Sequence, residues 1–490
     1  MPRQPEAPPP RPLHSDRRLS DTEALMWMAE RDPNMRSSFM TITLLDRAPD
    51  AERFRARMML GTKVIPRLRQ RVVESPLPFG APTWEDDPDF DLDRHIRIVS
   101  MPGIDDDTLL EVAALEYTEV FDGARPLWRF TIVTDLAGGR AALLSKMHHV
   151  IADGVGALRL SAQFIDFGPE ATEASSRGTD TNRTDGDLVG AEAAAGLFVA
   201  TGDQPSGHES YPSRLLSTAA DTARRPVELG RRVLAGAAEA AQHPQRIPAD
   251  LWAVAQSATR QLMVTDKAHS TLWSKRSLDR RLAVLSVDLD AAKRAAKSLG
   301  GTLNDLFVTG VAGACGAYHR ELGAPCDELR MTMPISTRTD RSAGGNEFLP
   351  SRVMVPAGIE DPVARFAATR SRLSAVKHEP ALGLAAALTS IIPALPSSLV
   401  PILARQQIGT VDFACSNVRG SPVPLWIGGA RILANFPIGP TAGTPFNCTL
   451  LSYQSSMDIG LAIDPAAVTE PRLLRDLVAT NLGKVIAAGT

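Results

Sequence analysis

The sequence predicts an α/β protein made of two layered units of similar size, and three observations carry that prediction. At 490 residues the chain exceeds what a single hydrophobic core holds. Strand-like alternation and helix-like spacing interchange in both halves. Between the halves, residues 168–212 are rich in Gly, Ser, Thr, Asp and Ala, the texture of a flexible linker. The expected organisation is a disordered tail over 1–18, a first domain over 19–167, a linker region with amphipathic helices over 168–275, and a second domain over 276–490.

Composition narrows the function classes. With 44% hydrophobic and 22% charged residues the chain reads as a soluble globular protein. A net charge of -3 gives nucleic acid no bulk electrostatic attraction, so no nucleic-acid partner is expected. Cys315, Cys326, Cys415 and Cys448 are scattered without C-x-x-C spacing, which points to free thiols in a reducing compartment and to no metal site. The start, M-P-R-Q-P-E-A-P-P-P-R-P, is basic and proline-rich without an apolar core, so a cytoplasmic protein is expected and no secretory signal.

In chain order, Leu19–Glu30 reads as a helix capped by Ser20 or Asp21, with Ala24, Leu25 and Met28 on its apolar face. Met40–Leu45 alternates like a strand and Ala51–Lys63 is spaced like a helix. Pro66–Glu74 is basic and then apolar. Trp84–His95 is acidic and reads as a solvated loop, because it has no glycine to turn a calcium-type loop. A helix over Thr108–Phe121, a strand over Arg129–Thr134, a turn at Gly138-Gly139 and a strand over Arg140–Lys146 follow, the last two forming a hairpin with the first strand. Ala157–Phe164 is helix-like, and Ser213–Gln242 spaces apolar residues among five arginines, with Pro226 interrupting it. Such a helix packs on the protein itself or lies on an anionic membrane surface.

The second half restarts the alternation. A strand over Leu282–Leu289 precedes a helix over Asp290–Leu299, stopped by Gly300-Gly301. Thr302–Tyr318 is an apolar helix whose small residues permit close packing. Strands are expected at Arg330–Met333, Ser351–Val355, Thr410–Cys415 and Leu450–Ile463, and helices at Pro362–Lys377 and Glu470–Ile486. Ala381–Ala404 is uncharged and long enough to span a membrane, but Pro393, Pro396 and Pro401 favour a broken apolar hairpin, buried or resting on lipid.

Chemistry concentrates in Met147–Gly156, M-H-H-V-I-A-D-G-V-G, where a buried strand gives out. Neighbouring strand residues point to opposite faces, so one histidine can serve as a base in a cleft while the other faces the packing side. Asp153-Gly154 reads as a turn that aims a carboxylate back into the fold. No G-x-S-x-G nucleophile elbow is present.

Several short motifs share an order with this one: P-L-W at Pro126, Leu127 and Trp128, N-D at Asn304 and Asp305, P-I-S-T-R at Pro334–Arg338, G-N at Gly345-Asn346 and S-N-V at Ser416–Val418. With the acidic run ending at His95, they make the chain resemble the bacterial wax ester synthase/diacylglycerol acyltransferases. These fall within the chloramphenicol acetyltransferase-like superfamily, which also holds the condensation domains of nonribosomal peptide synthetases. The likeness covers roughly Leu19–Ile486 apart from the linker. Three departures stand out: Arg419-Gly420-Ser421 where the family usually has P-G-P, no N-G element in Ser270–Lys275, and Val150 after the histidines.

The resemblance implies two acetyltransferase-like domains forming a pseudo-dimer with an interfacial tunnel, and His149 midway along it as general base. It implies an acyl-CoA-dependent O-acyltransferase making triacylglycerol from diacylglycerol or wax ester from a long-chain alcohol, without a covalent intermediate. Acyl-CoA would be a co-substrate, the acceptor a lipid alcohol, and no cofactor would be bound permanently. His148 would support the loop. Asp153 would hold it structurally, with Arg69 as candidate partner. Asn304, Asp305 and Gly154 would bind substrate or the oxyanion, although an N-cap role for Asn304 is the equal alternative. Pro126, Leu127 and Trp128 would be structural, Trp128 as a core anchor. A relative acting on another hydroxyl, polyketide or glycolipid, and a catalytically degenerate lipid-binding protein are the competing readings. A monomer or weak dimer, docked peripherally on the inner face of a membrane or on lipid bodies, completes the expectation.

Overall fold

The computed structural model describes residues 17–75, 82–151, 160–161, 163–170, 267–336, 348–377 and 400–490. In the first half, α1 (Asp21–Ala29) starts on a reciprocal cap: Ser20 Oγ accepts the Glu23 N–H, and the Glu23 carboxylate accepts the Ser20 N–H. After it come β1 (Ser38–Leu45), α2 (Ala51–Val64), β2 (Gln70–Val73), β3 (Thr83–Asp86), β4 (Ile96–Ser100), α3 (Asp106–Thr118), β5 (Trp128–Leu136), β6 (Arg140–His148) and β7 (Ile165–Asp166). The turn between β5 and β6 has Gly138 and Gly139 at positive φ, 78° and 71°, where a side chain would be strained.

The second half holds β8 (Arg281–Asp288), α4 (Leu289–Ser298), α5 (Leu303–Glu321), β9 (Leu329–Ser336), β10 (Phe348–Val355), α6 (Pro362–Lys377) and α7 (Val400–Ile408). Then come β11 (Phe413–Arg419), β12 (Trp426–Ile427), β13 (Ala430–Ile438), β14 (Phe446–Tyr453), β15 (Ser456–Ile463) and α8 (Pro471–Gly489). A seven-stranded sheet runs β4-β5-β6-β1-β13-β12-β7 and a six-stranded sheet runs β10-β9-β11-β14-β15-β8. The ribbon β2-β3 stands apart and packs Val72 and Trp84 against α1.

The two sheets do not divide at the linker. The sequence reading places no element over Trp426–Ile438, yet β12 and β13 leave the second half and complete the first sheet. β13 runs antiparallel to β1, from Met40 opposite Ile438 to Leu45 opposite Ile432. Its inward residues Phe436 and Ile438 join Met40, Ile42 and Leu144 in one core. The second sheet lies so close behind that a Cβ on Gly460 of β15 would sit 2.1 Å from the Pro437 carbonyl oxygen. Only glycine allows that approach.

The acidic run is also corrected. Thr83–Asp86 is a strand, Trp84 is 1% exposed, and His95 is buried between the rings of Phe90 and Trp128. The aromatic residues decide the placement, with Asp89, Asp91 and Asp93 left exposed and Asp87 buried. Leu450–Ile463 is two strands, β14 and β15, turned at Gln454 with φ 50°. Ser213–Gln242, half of Ala157–Phe164 and most of Ala381–Ala404 lie outside the described residues. Among those described, no helix is long and apolar enough to cross a membrane.

Candidate active site

The end of β6 is built from its two neighbours. On one side the His148 N–H donates to the Leu127 carbonyl just before β5, at 3.0 Å. On the other the His149 N–H donates to the Ser37 carbonyl just before β1, at 3.1 Å. The two side chains diverge as strand geometry requires. His148 is 2% exposed, with its ring edge-on to Trp27 at 5.9 Å. His149 keeps part of its surface accessible and packs against Phe39, ring centroids 4.9 Å apart.

The His148 tautomer follows from its bonds. Nδ1 accepts the Val150 N–H at 3.1 Å, so the ring proton is on Nε2, which donates to Glu30 Oε1 at 2.6 Å. The same Glu30 oxygen accepts the Ser37 N–H. Burial works to raise the Glu30 pKa, but the neighbouring His148 and the bonds from His148 and Ser37 outweigh it, and the net shift is downward. Glu30 therefore stands as a carboxylate. For His149, burial and then the neighbouring His148 depress the pKa to about 4, with Glu30 opposing them. At neutral pH the His149 ring is neutral and able to take a proton.

Pro126, Leu127 and Trp128 brace this strand end. The Pro126 carbonyl accepts the Trp128 N–H at 3.0 Å, and Leu127, 2% exposed, packs in the α1 core. Trp128 is 1% exposed, stacks on His95 at 4.5 Å and donates from Nε1 to the Leu68 carbonyl at 2.9 Å. Two residues before His148, buried Lys146 turns to α3 and donates Nζ to the carbonyls of Glu116 and Glu119, the open end of that helix. Arg69 ends the turn Pro66–Leu68, its N–H donating to the Pro66 carbonyl at 2.8 Å. Asp153 and Gly154 lie outside the described residues.

Asn304 and Asp305 sit elsewhere, at the start of α5 on the second sheet. Thr302, not Asn304, is the N-cap. Asp305 closes that cap, its Oδ2 accepting the Thr302 N–H at 2.7 Å and the Thr302 hydroxyl at 2.8 Å. Asn304 Oδ1 accepts Nδ2 of Asn417, from the S-N-V motif, at 3.3 Å, and its own Nδ2 faces the Met333 sulfur at 3.7 Å. In Arg419-Gly420-Ser421 the glycine is the constrained position: a Cβ there would meet the Ser452 carbonyl oxygen at 2.2 Å. Ser270 is structural, with its N–H on Asp412 and its hydroxyl on His319. Among the described residues no group of three His, Cys, Asp or Glu side chains could hold a metal ion.

Sequence reasoning misses Glu30 and Ser37. Glu30 leaves no distinguishing signal, being the first of three consecutive charged residues, Glu30, Arg31 and Asp32.

Comparison with known proteins matches this architecture. Residues 19–307 match the wax ester synthase/diacylglycerol acyltransferase catalytic domain, and residues 344–485 match the WS/DGAT C-terminal domain. The chain is 32% identical over 481 residues to a putative diacylglycerol O-acyltransferase of Mycobacterium tuberculosis, covering 96% of this chain and 92% of the relative. A second such protein of that organism is 29% identical over 474 residues, with 92% and 93% covered. Among solved structures, the wax ester synthase/diacylglycerol acyltransferase from Marinobacter aquaeolei VT8 superposes with a TM-score of 0.60 at 19% identity, over 96% of this chain and 99% of that one. The first condensation domain of the calcium-dependent antibiotic synthetase superposes with a TM-score of 0.58 at 14% identity, over 97% and 96%. At such identities these two superpositions speak for the two-domain fold alone.

Proposed function

The chain belongs to the wax ester synthase/diacylglycerol acyltransferase family, and from that premise we propose that it carries the acyl group of an acyl-CoA to the hydroxyl of diacylglycerol or of a long-chain alcohol, with His149 as general base. One observation carries the mechanism: the His149 imidazole is largely enclosed but still partly accessible, is held neutral at physiological pH by burial and the neighbouring His148, and stands on a backbone fixed at the end of β6. The acceptor oxygen attacks the thioester carbonyl as His149 takes the hydroxyl proton. The tetrahedral oxyanion collapses, the carbon–sulfur bond breaks, and the thiolate of coenzyme A leaves and receives the proton. No enzyme-bound acyl group is needed. A placed base of this kind is worth about 10²–10⁴ in rate. On the second sheet, Asn304 is the residue we assign to substrate. A thioether is a weak acceptor, so its Nδ2, resting on Met333, keeps a donor to offer a substrate oxygen. Asp153, by loose similarity, would hold the histidine loop against Arg69.

The test is transfer of labelled acyl-CoA to diacylglycerol and to hexadecanol by wild type and His149→Ala. Wild type is expected to form the esters. The variant, with an unchanged thermal melt, is expected to lose at least about 100-fold in kcat. Near wild-type turnover in a folded His149→Ala protein excludes this base.

A further inference from the structure

We infer that Glu30 is a positioning residue for the reaction: one carboxylate oxygen, held on both the His148 ring and the Ser37 backbone, sets where His149 presents its imidazole. The inference rests on the reading of His149 as the base. Its ground is a closed circuit of bonds. Glu30 Oε1 accepts Nε2–H of His148 at 2.6 Å and also the Ser37 N–H. The Ser37 carbonyl accepts the His149 N–H at 3.1 Å. The Val150 N–H, next along the chain, donates to Nδ1 of His148 at 3.1 Å. Both backbone N–H groups that bracket the His149 side chain are thus fixed through partners that converge on Glu30. Ser37 is 6% exposed and His148 is 2% exposed, so water cannot readily replace the carboxylate if it is removed. The circuit also ties three elements together, since Glu30 is the C-cap of α1, Ser37 directly precedes β1, and His148 ends β6 with His149 next after it.

A carboxylate does more here than an amide of the same shape. Among the described residues, the titratable groups that face Glu30 are His148 at the end of β6, His149 next after it, and Tyr117 from α3. When His149 takes the substrate proton it becomes an imidazolium in a site that burial makes hostile to positive charge, and Glu30 is the nearby negative charge opposing that penalty. Glu30 does not itself receive the proton, and it touches no reacting atom.

The experiment compares wild type, Glu30→Gln and Glu30→Ala for kcat and KM of acyl-CoA, for the pH profile, and for the His148 tautomer by nitrogen NMR on protein labelled at histidine. Glu30→Ala is expected to lower kcat on the order of 100-fold and Glu30→Gln roughly 10-fold, with KM within about threefold, because the loss lies in alignment and charge at the transition state. In Glu30→Gln the acid limb of the profile is expected to move to lower pH, and the Nε2–H signal of His148 to lose its wild-type position. A folded Glu30→Ala protein with kcat within threefold of wild type overturns the inference. So does a KM change without a kcat change, or an unchanged tautomer signal in both variants. Collapse of the isosteric Glu30→Gln protein would make Glu30 a folding residue and equally overturn it. A wild type inert toward acyl-CoA would sink the acyl-transfer reading alone, because the tautomer reports the hold of Glu30 on His148 without any substrate.

Discussion

Burial strips solvation from the His149 imidazolium, so the ring holds a proton only near and below pH 4. Above that it is free to act. An ordinary solvated histidine would be half protonated near pH 6.5 and would lose its base function through the mildly acidic range. The expected profile of kcat/KM therefore rises through about pH 4 and is flat across pH 6.5. A limb centred at 6.5 would show that the ring titrates as if in water. The same shift has a stability sign. Between pH 4 and 6.5 the unfolded chain protonates this histidine and the folded chain does not, so the unfolded state holds more protons. Stability is then full above pH 6.5 and is lost as pH falls toward 4. Urea midpoints at pH 7 and pH 5 check this: wild type is expected to lose more between them than His149→Gln does, and equal losses would count against a buried neutral ring.

At the scale of elements, α5 shows how close packing depends on missing side chains. A Cβ on Gly310 would meet Leu482 of α8 at 2.4 Å, one on Gly313 the buried guanidinium of Arg365 at 2.4 Å, and one on Gly316 the Ala357 carbonyl oxygen at 1.9 Å. The first two obstacles are side chains that can shift, whereas the third is backbone. Alanine is worth about 1 kcal/mol more than glycine inside a helix. Gly316→Ala is still expected to destabilise, by roughly 1–3 kcal/mol net, because overpacking outweighs propensity. Gly483 in α8 has nothing within 4 Å of its would-be Cβ, and there Gly483→Ala is expected to stabilise by about 0.5–1 kcal/mol. Urea denaturation of the two variants reads opposite signs, and equal signs would contradict the packing argument. What is legible in the sequence follows the same division between local and distant causes. Helix α1 with its Ser20 cap, the apolar periodicity of α5, and the hairpin turn at Gly138-Gly139 announce themselves because cap, turn and periodicity lie within a few residues, although the cap of α5 falls on Thr302 and not on Asn304. Glu30 is illegible because its importance comes from His148, 118 residues away. Strand β13 is illegible because its pattern serves a sheet whose neighbouring strand, β1, is drawn from the other half of the chain. The motif at His148 and His149 was readable as chemistry, but the bonds that aim it were not.

For the whole molecule, the crossing of β12 and β13 makes each half depend on the other. Without β13, β1 would become an open edge, offering unpaired N–H and C=O groups and an apolar face. The seam carries specific bonds as well as ladder pairing. Thr43 Oγ1 meets Asn435 Oδ1 at 2.6 Å, and the Asp46 carboxylate accepts the Arg431 N–H at 2.7 Å while the Asp46 N–H donates to the Arg431 carbonyl at 3.0 Å. The glycine at 460 lets β15 press on the same strand from behind. Covalent continuity between the halves should then matter less than this shared sheet. A protease site placed within residues 171–266 and cut in the folded protein is expected to leave two fragments that co-elute on gel filtration at the position of the 52.6 kDa chain, with acyl transfer retained. The first fragment made alone is expected to aggregate or to lack a cooperative melt, since nothing replaces β13 beside β1. If the cut fragments separate under native conditions and each melts cooperatively, the halves are independent domains and the crossing strand is not what unites the active site.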